Sequence, residues 1–198
     1  MTRLISFLAH AVYMGTPLLF GTVGEIQNEK AGHLNLGVEG TMAMGACAGF
    51  MVAYKTGSLW LSILAAFLMG ALVSLIYAFL TITMMANQNV TGLTLTIFGT
   101  GLSNFIGEQM ISASPTGNLK LPDGVNIDIP LLSKIPVLGE VLFSQNIFTY
   151  LSIVIAVIMF IYLKKTKVGL NLRTIGENPA VADAVGISVV KYKYINVL

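Results

Sequence analysis

Asn87, Gln88 and Asn89 stand side by side at the head of an apolar run, and Thr96, Thr100 and Asn104 follow within it at four-residue intervals. On a helix that spacing draws the hydroxyl and amide groups into one stripe. Such a stripe in a membrane helix has two uses: hydrogen bonds to neighbouring helices, or the lining of a water-filled path for a hydroxyl-rich solute. Asn35 and Glu39 repeat the spacing and on a continuous helix would share a face, in a stretch that also holds Glu25, Glu29, Lys30 and His33. A carboxyl beside a spanning segment is costly unless it pairs, protonates or faces water. The group therefore reads either as an interfacial loop with its own ion pairs or as a polar lining at a break between helices.

Other chemistry lacks its residues. No G-x-x-x-x-G-K-[ST] loop occurs, so the chain has no phosphate cradle of that kind for ATP, and Gly99 and Gly101 are followed by Asn104 where a dinucleotide fingerprint needs glycine. His10 and His33 are isolated, which gives no paired-histidine metal site and no Ser/His/Asp array. Cys47, the single cysteine, excludes an internal disulfide and reads as a small buried side chain among apolar neighbours. Nothing here points to catalysis, and neither a metal nor a cofactor is expected on this chain.

The elements that would position the polar residues belong to a bilayer. Of 198 residues 55% are hydrophobic and 10% charged, and the mean hydropathy is +0.80, too apolar for an ordinary soluble domain. The formal charge of +2 is small and its basic residues are dispersed or juxtamembrane, so no nucleic-acid surface is expected. Windows of about 20 mainly apolar residues predict five spans, at 4–24, 36–54, 59–85, 90–106 and 147–163, of which the second and fourth are the least apolar. The third is longer than an upright helix needs and should tilt, kink or extend past the hydrocarbon. The first is too long for a secretory signal and lacks a small-x-small cleavage site, so it reads as retained. The fold class is thus all-α, a polytopic helix bundle over 1–163. An external loop over about 107–146 carries Pro115, Pro122, Pro130 and Pro136.

Small residues at four-residue spacing, Gly37/Thr41/Gly45/Gly49, Gly70/Ser74/Ala78 and Gly99/Ser103/Gly107, are expected to let helix backbones approach. Orientation follows from Lys and Arg. With the tail inside, alternation through five spans puts Lys30, Lys164, Lys165, Lys167, Arg173, Lys191 and Lys193 inside and leaves Arg3, Lys55, Lys120 and Lys134 outside.

After the fifth apolar segment comes a polar insert, residues 169–187, GLNLRTIGENPAVADAVGI. Asn178 is a good N-cap, Pro179 fits the first helical position, and Gly186 can take the left-handed conformation that closes a helix. A helix of about two turns is predicted, with Val181, Ala182 and Val185 on one side and Asp183 elsewhere. So short a helix needs packing. Either it lies on its own protein as a connector, or it is a knob for a partner. Residues 194–198 read as the start of a further span.

Three stretches carry a family resemblance: residues 29–46, EKAGHLNLGVEGTMAMGA; residues 87–105, NQNVTGLTLTIFGTGLSNF; and residues 166–187. The chain resembles permease subunits of bacterial ABC importers, in the branch that carries nucleosides and simple sugars beside the branched-chain amino-acid permeases. The resemblance implies that residues 164–193 form a cytoplasmic coupling segment seated on a separate ABC ATPase subunit. Gly169, Leu170, Arg173, Gly176, Glu177, Asn178, Pro179, Ala182 and Gly186 match the family there. It implies too a second permease copy or paralogue, an external solute-binding protein, ATP and Mg on the ATPase alone, and a multi-pass place in the bacterial cytoplasmic membrane among its lipids. Asn35, Glu39, Asn87, Gln88, Asn89, Thr96, Thr100 and Asn104 become the candidate solute pathway. Family members continue through more spans after the coupling segment, so the chain is expected to be the front part of a permease. Its rivals are a branched-chain amino-acid ABC permease, an ion-gradient-driven transporter with Glu39 as the protonating group, and an intramembrane enzyme, which would need a nucleophile or metal cluster.

Overall fold

A computed structural model describes residues 2–113, 126–128, 141 and 143–198. Helix α1 (Thr2–Lys30) is followed by α2 (Val38–Thr56) and α3 (Leu59–Ala78), which runs on into a π-helical turn, Phe79–Thr83. Then come α4 (Gln88–Ala113), two three-residue strands β1 (Asn126–Asp128) and β2 (Ser144–Asn146), and helices α5 (Ile147–Lys165), α6 (Lys167–Glu177), α7 (Pro179–Ala184) and α8 (Val189–Val197). This is an all-α membrane protein.

Among the described residues three helices are long and apolar enough to cross a membrane: Arg3–Lys30, Leu59–Thr83 and Ile147–Lys165. The expected second and fourth spans became α2 and α4, helices of 19 and 26 residues. At about 1.5 Å per residue both reach across roughly 30 Å of hydrocarbon, but glycine and threonine dilute their apolarity. The excess length of the third span ends in the π turn, where Ala86 N–H donates to the Leu80 carbonyl at 2.9 Å and Met85 takes a left-handed φ of 53°.

The expected loop over 107–146 begins later than its sequence suggested. Glu108 and Gln109 stay inside α4, which continues to Ala113, because neither residue breaks a helix. Asn126–Asp128 pairs antiparallel with Ser144–Asn146. Pro115, Pro122, Pro130 and Pro136, with Lys120 and Lys134, lie outside the described residues.

The chain divides into two compact units. One comprises Met1–Gly24 and Asp123–Gly169. Within it the buried hydroxyls of Thr16 and Thr149 share a hydrogen bond of 2.9 Å, and Gln145 Nε2 donates to the carbonyls of Ala9 and Val141. Asn146 caps α5 by accepting from Phe148 N–H. These bonds satisfy polar groups that lipid cannot.

The other unit comprises Glu25–Pro122 and Leu170–Leu198. Its helix α2 presents glycine on two sides. A Cβ at Gly40 would lie 2.3 Å from the Leu95 carbonyl oxygen of α4, and one at Gly99 2.6 Å from the Gly40 oxygen. Gly45 and Gly49 instead press on Ala66 and Ser62 of α3. The predicted row therefore splits between two neighbours, and Gly40, outside that row, makes the closest crossing. Gly70 and Gly107 have nothing within 4 Å of a built Cβ. Cys47 is only half-buried, since its side of α2 meets α4 at Ser103 rather than a filled core. The apolar core gathers Val73, Tyr77, Ala78, Ile82, Leu95 and Val197.

Candidate functional site

The polar insert is built as a corner, a helix and a knob. At the corner, Thr166 Oγ1 donates to the Tyr162 carbonyl at 2.6 Å and accepts from Gly169 N–H at 3.0 Å. A Cβ at Gly169 would lie 2.3 Å from that same carbonyl oxygen, so only glycine lets α6 leave α5 so closely. Helix α6 then buries Leu172 and Ile175 completely, while Leu170 stays 56% exposed. Arg173 is half-buried, with its Nε enclosed and unbonded among the described residues.

At the far end of α6, Gly176 rests on the turn that follows α1. A Cβ there would fall 2.4 Å from the Lys30 carbonyl oxygen and 3.2 Å from Gly32 N. Glu177, Asn178 and Pro179 are exposed. Asn178 Oδ1 accepts from Ala180 N–H at 3.1 Å and Val181 N–H at 3.3 Å, with Pro179 opening α7 as its cap predicts. The helix closes at Gly186, φ +80°, through bonds from Gly186 N–H to Asp183 O and from Ile187 N–H to Ala182 O, the Schellman arrangement. Ala182 is fully buried, whereas Val181 and Val185 are 51% and 68% exposed. Val181 and Val185 thus do not share Ala182's buried side as expected; with only six residues, α7 packs through Ala182 alone and turns both valines outward.

The candidate pathway residues divide into two groups. Asn35, Gln88 and Thr96 meet at the turn 31–37. Leu34 N–H donates to Gln88 Oε1 at 2.9 Å, Thr96 Oγ1 donates to the Leu36 carbonyl at 2.7 Å, and Asn35 Oδ1 accepts from Gly37 N–H at 2.9 Å. Asn87 caps α4 by accepting from Asn89 and Val90 N–H, and Thr100 Oγ1 returns to the Thr96 carbonyl. Glu39, Asn89 and Asn104 are exposed. Asn35 and Glu39 do not share a helical face, because α2 begins only at Val38 and Asn35 folds back on the turn before it.

Other residues complete this arrangement. Tyr77 OH donates to the Leu34 carbonyl at 2.8 Å, and Asn35 N–H donates to Glu25 Oε1 at 2.7 Å. A lone phenol in the apolar run of α3 was the available signal, since a buried Tyr hydroxyl seeks a partner. His33 is 2% exposed, with neither ring nitrogen bonded among the described residues. Burial, with Lys193 nearby, pulls its pKa down to about 4, so the ring is neutral.

Residues 7–198 match the family described as "Branched-chain amino acid transport system / permease component". The chain belongs to that permease family. This permease is 34% identical over 199 residues to the nucleoside ABC transporter permease protein of Lactococcus lactis subsp. cremoris, covering 96% of this chain and 62% of that protein. It is 35% identical over 204 residues to the guanosine ABC transporter permease protein of Bacillus subtilis, with 99% and 64% covered. A glucose ABC transporter permease protein of Haloferax volcanii is 26% identical over 192 residues, with 91% and 50% covered. The permease chain therefore spans between 50% and 64% of the length of these relatives. No solved structure matches it.

Proposed function

We propose that this chain belongs to the membrane-spanning subunit of a bacterial ABC importer for nucleosides or simple sugars. It works with a cytoplasmic ABC ATPase, a second permease copy or paralogue and an external solute-binding protein. ATP and Mg are handled by the ATPase. The observation that carries the reading is α7: a helix capped at both ends that turns Val181 and Val185 outward from a basic-flanked tail, in a chain whose relatives are named as nucleoside and glucose permeases. Exposed apolar side chains on a rigid, polar-flanked knob suit a groove on a soluble partner.

Five crossings of the cytoplasmic membrane fit the local geometry. Alternation puts the connections after α1 and α3, and the tail from α6, on one side. The turn 31–37 touches both Gln88 and Gly176, which supports a shared cytoplasmic side for Lys30 and Arg173. On this reading Thr96, Thr100 and Asn104 face or flank the solute path. The match to the branched-chain amino-acid family description supports an amino-acid permease as a second reading, which a binding-protein melting screen against nucleosides, sugars and amino acids separates.

The test of coupling uses the full-length permease with its ATPase. Val185→Asp and Glu177→Lys should each cut ATPase co-purification and solute uptake about tenfold or more, as loss of an interface anchor does. Retention of both at the parent level would overturn the assignment.

A further inference from the structure

The turn 31–37 belongs to no helix or strand, yet it is held from two sides within one compact unit. On one side Gly32, φ +80°, meets Gly176 of α6, and a Cβ at Gly32 would lie 3.2 Å from Gly176 Cα. On the other, a Cβ at Gly92 of α4 would sit 2.7 Å from Leu36 N and 3.0 Å from Gly37 N. Backbone thus meets backbone at both ends, with no side chain between to yield.

Between these ends the main chain is bonded by side chains of three helices. Glu25 of α1 takes Asn35 N–H, Tyr77 of α3 gives to Leu34 O, and Gln88 and Thr96 of α4 take Leu34 N–H and give to Leu36 O. Buried main-chain groups outside regular structure need such partners. Here the partners that supply them include the first turns of α4, the helix that carries the polar stripe.

We propose that residues 31–37 are the strap through which movement of the coupling segment reaches α4, with Tyr77 and Glu25 as its positioning residues. The proposal rests on the docking reading of α6 and α7. A load applied at Gly176 has a packed, hydrogen-bonded route to Gly92 and Thr96, and two glycine contacts leave it little slack. Tyr77 and Glu25 touch the strap from outside the coupling segment, so removing their bonds should leave ATPase docking alone and weaken what docking delivers.

The test uses the full-length transporter, reconstituted with its ATPase and binding protein in liposomes. Tyr77→Phe removes one hydroxyl without changing packing, and Glu25→Ala removes the acceptor of Asn35 N–H. Both should keep ATPase co-purification and basal ATP hydrolysis while solute taken up per ATP falls about threefold or more, within the range of coupling changes along such networks. Glu25→Gln, which keeps an acceptor for Asn35 N–H, should recover part of the loss. Unchanged uptake per ATP in both variants overturns the strap. Loss of co-purification in either overturns it as well, because the residues would then serve docking. The arms stay separate from the docking reading, which fails only if Val185→Asp and Glu177→Lys leave co-purification and uptake intact.

Discussion

Gly176 meets the carbonyl of Lys30 with no room for a methyl group: a Cβ would stand 2.4 Å from that oxygen. Gly40 stands in the same relation to Leu95, whereas Gly70 has open space around it. Overpacking against backbone cannot be relieved by a rotamer change and costs about 1–3 kcal/mol. Gly176→Ala and Gly40→Ala should therefore lower the melting temperature of the purified permease. Gly70→Ala, in a helix interior, should raise stability by roughly 0.5–1 kcal/mol. Equal melting temperatures for all three would contradict the packing described.

Asn178 holds two N–H groups at the start of α7. Asn178→Ala should cost about 1 kcal/mol of local stability and Asn178→Ser much less. Hydrogen exchange at Ala180 and Val181 is the readout: faster exchange in the alanine variant only, with the spanning helices unchanged.

His33 couples the fold to pH. Its pKa is held at about 4 in the fold against about 6.5 in an unfolded chain, so the unfolded state takes up the proton first. The contribution is full above pH 6.5 and is lost progressively as pH falls towards 4. Between pH 7 and pH 5 the melting temperature of the parent should drop further than that of His33→Gln. Parallel curves would refute a buried neutral ring.

Met85 is 86% exposed with a φ of 53°, a conformation that costs an L-residue about 1–2 kcal/mol. Met85→Gly or Met85→Asn should raise the melting temperature by a few degrees, and Met85→Val, branched at Cβ, should lower it. A stabilised valine variant would rule out the left-handed turn.

Local chemistry made some of this legible in the sequence. Asn178, Pro179 and Gly186 fixed both ends of α7 because capping is decided within a few residues. Helices α2 and α4 were readable as long segments despite their glycines and threonines. Helix α6 escaped notice, although Leu172 and Ile175 carry a three-residue apolar spacing, since polar neighbours masked it. The two-sided use of glycine on α2 depends on which helices flank it, which no single-face pattern encodes. The role of Gln88 was also hidden: its partner, Leu34, lies 54 residues away, and main-chain groups leave no trace in residue type. Asn35 misled because a four-residue interval presumes a helix that starts only at Val38.

Helix α2 is gripped through its own main chain, at Gly40 from one neighbour and at Gly45 and Gly49 from another. Rotation about its long axis would drive a bulkier side chain into one contact or the other. On the proposed transport reading, alternation between outward and inward access would carry α2, α3 and α4 together as a block and leave the give to joints elsewhere.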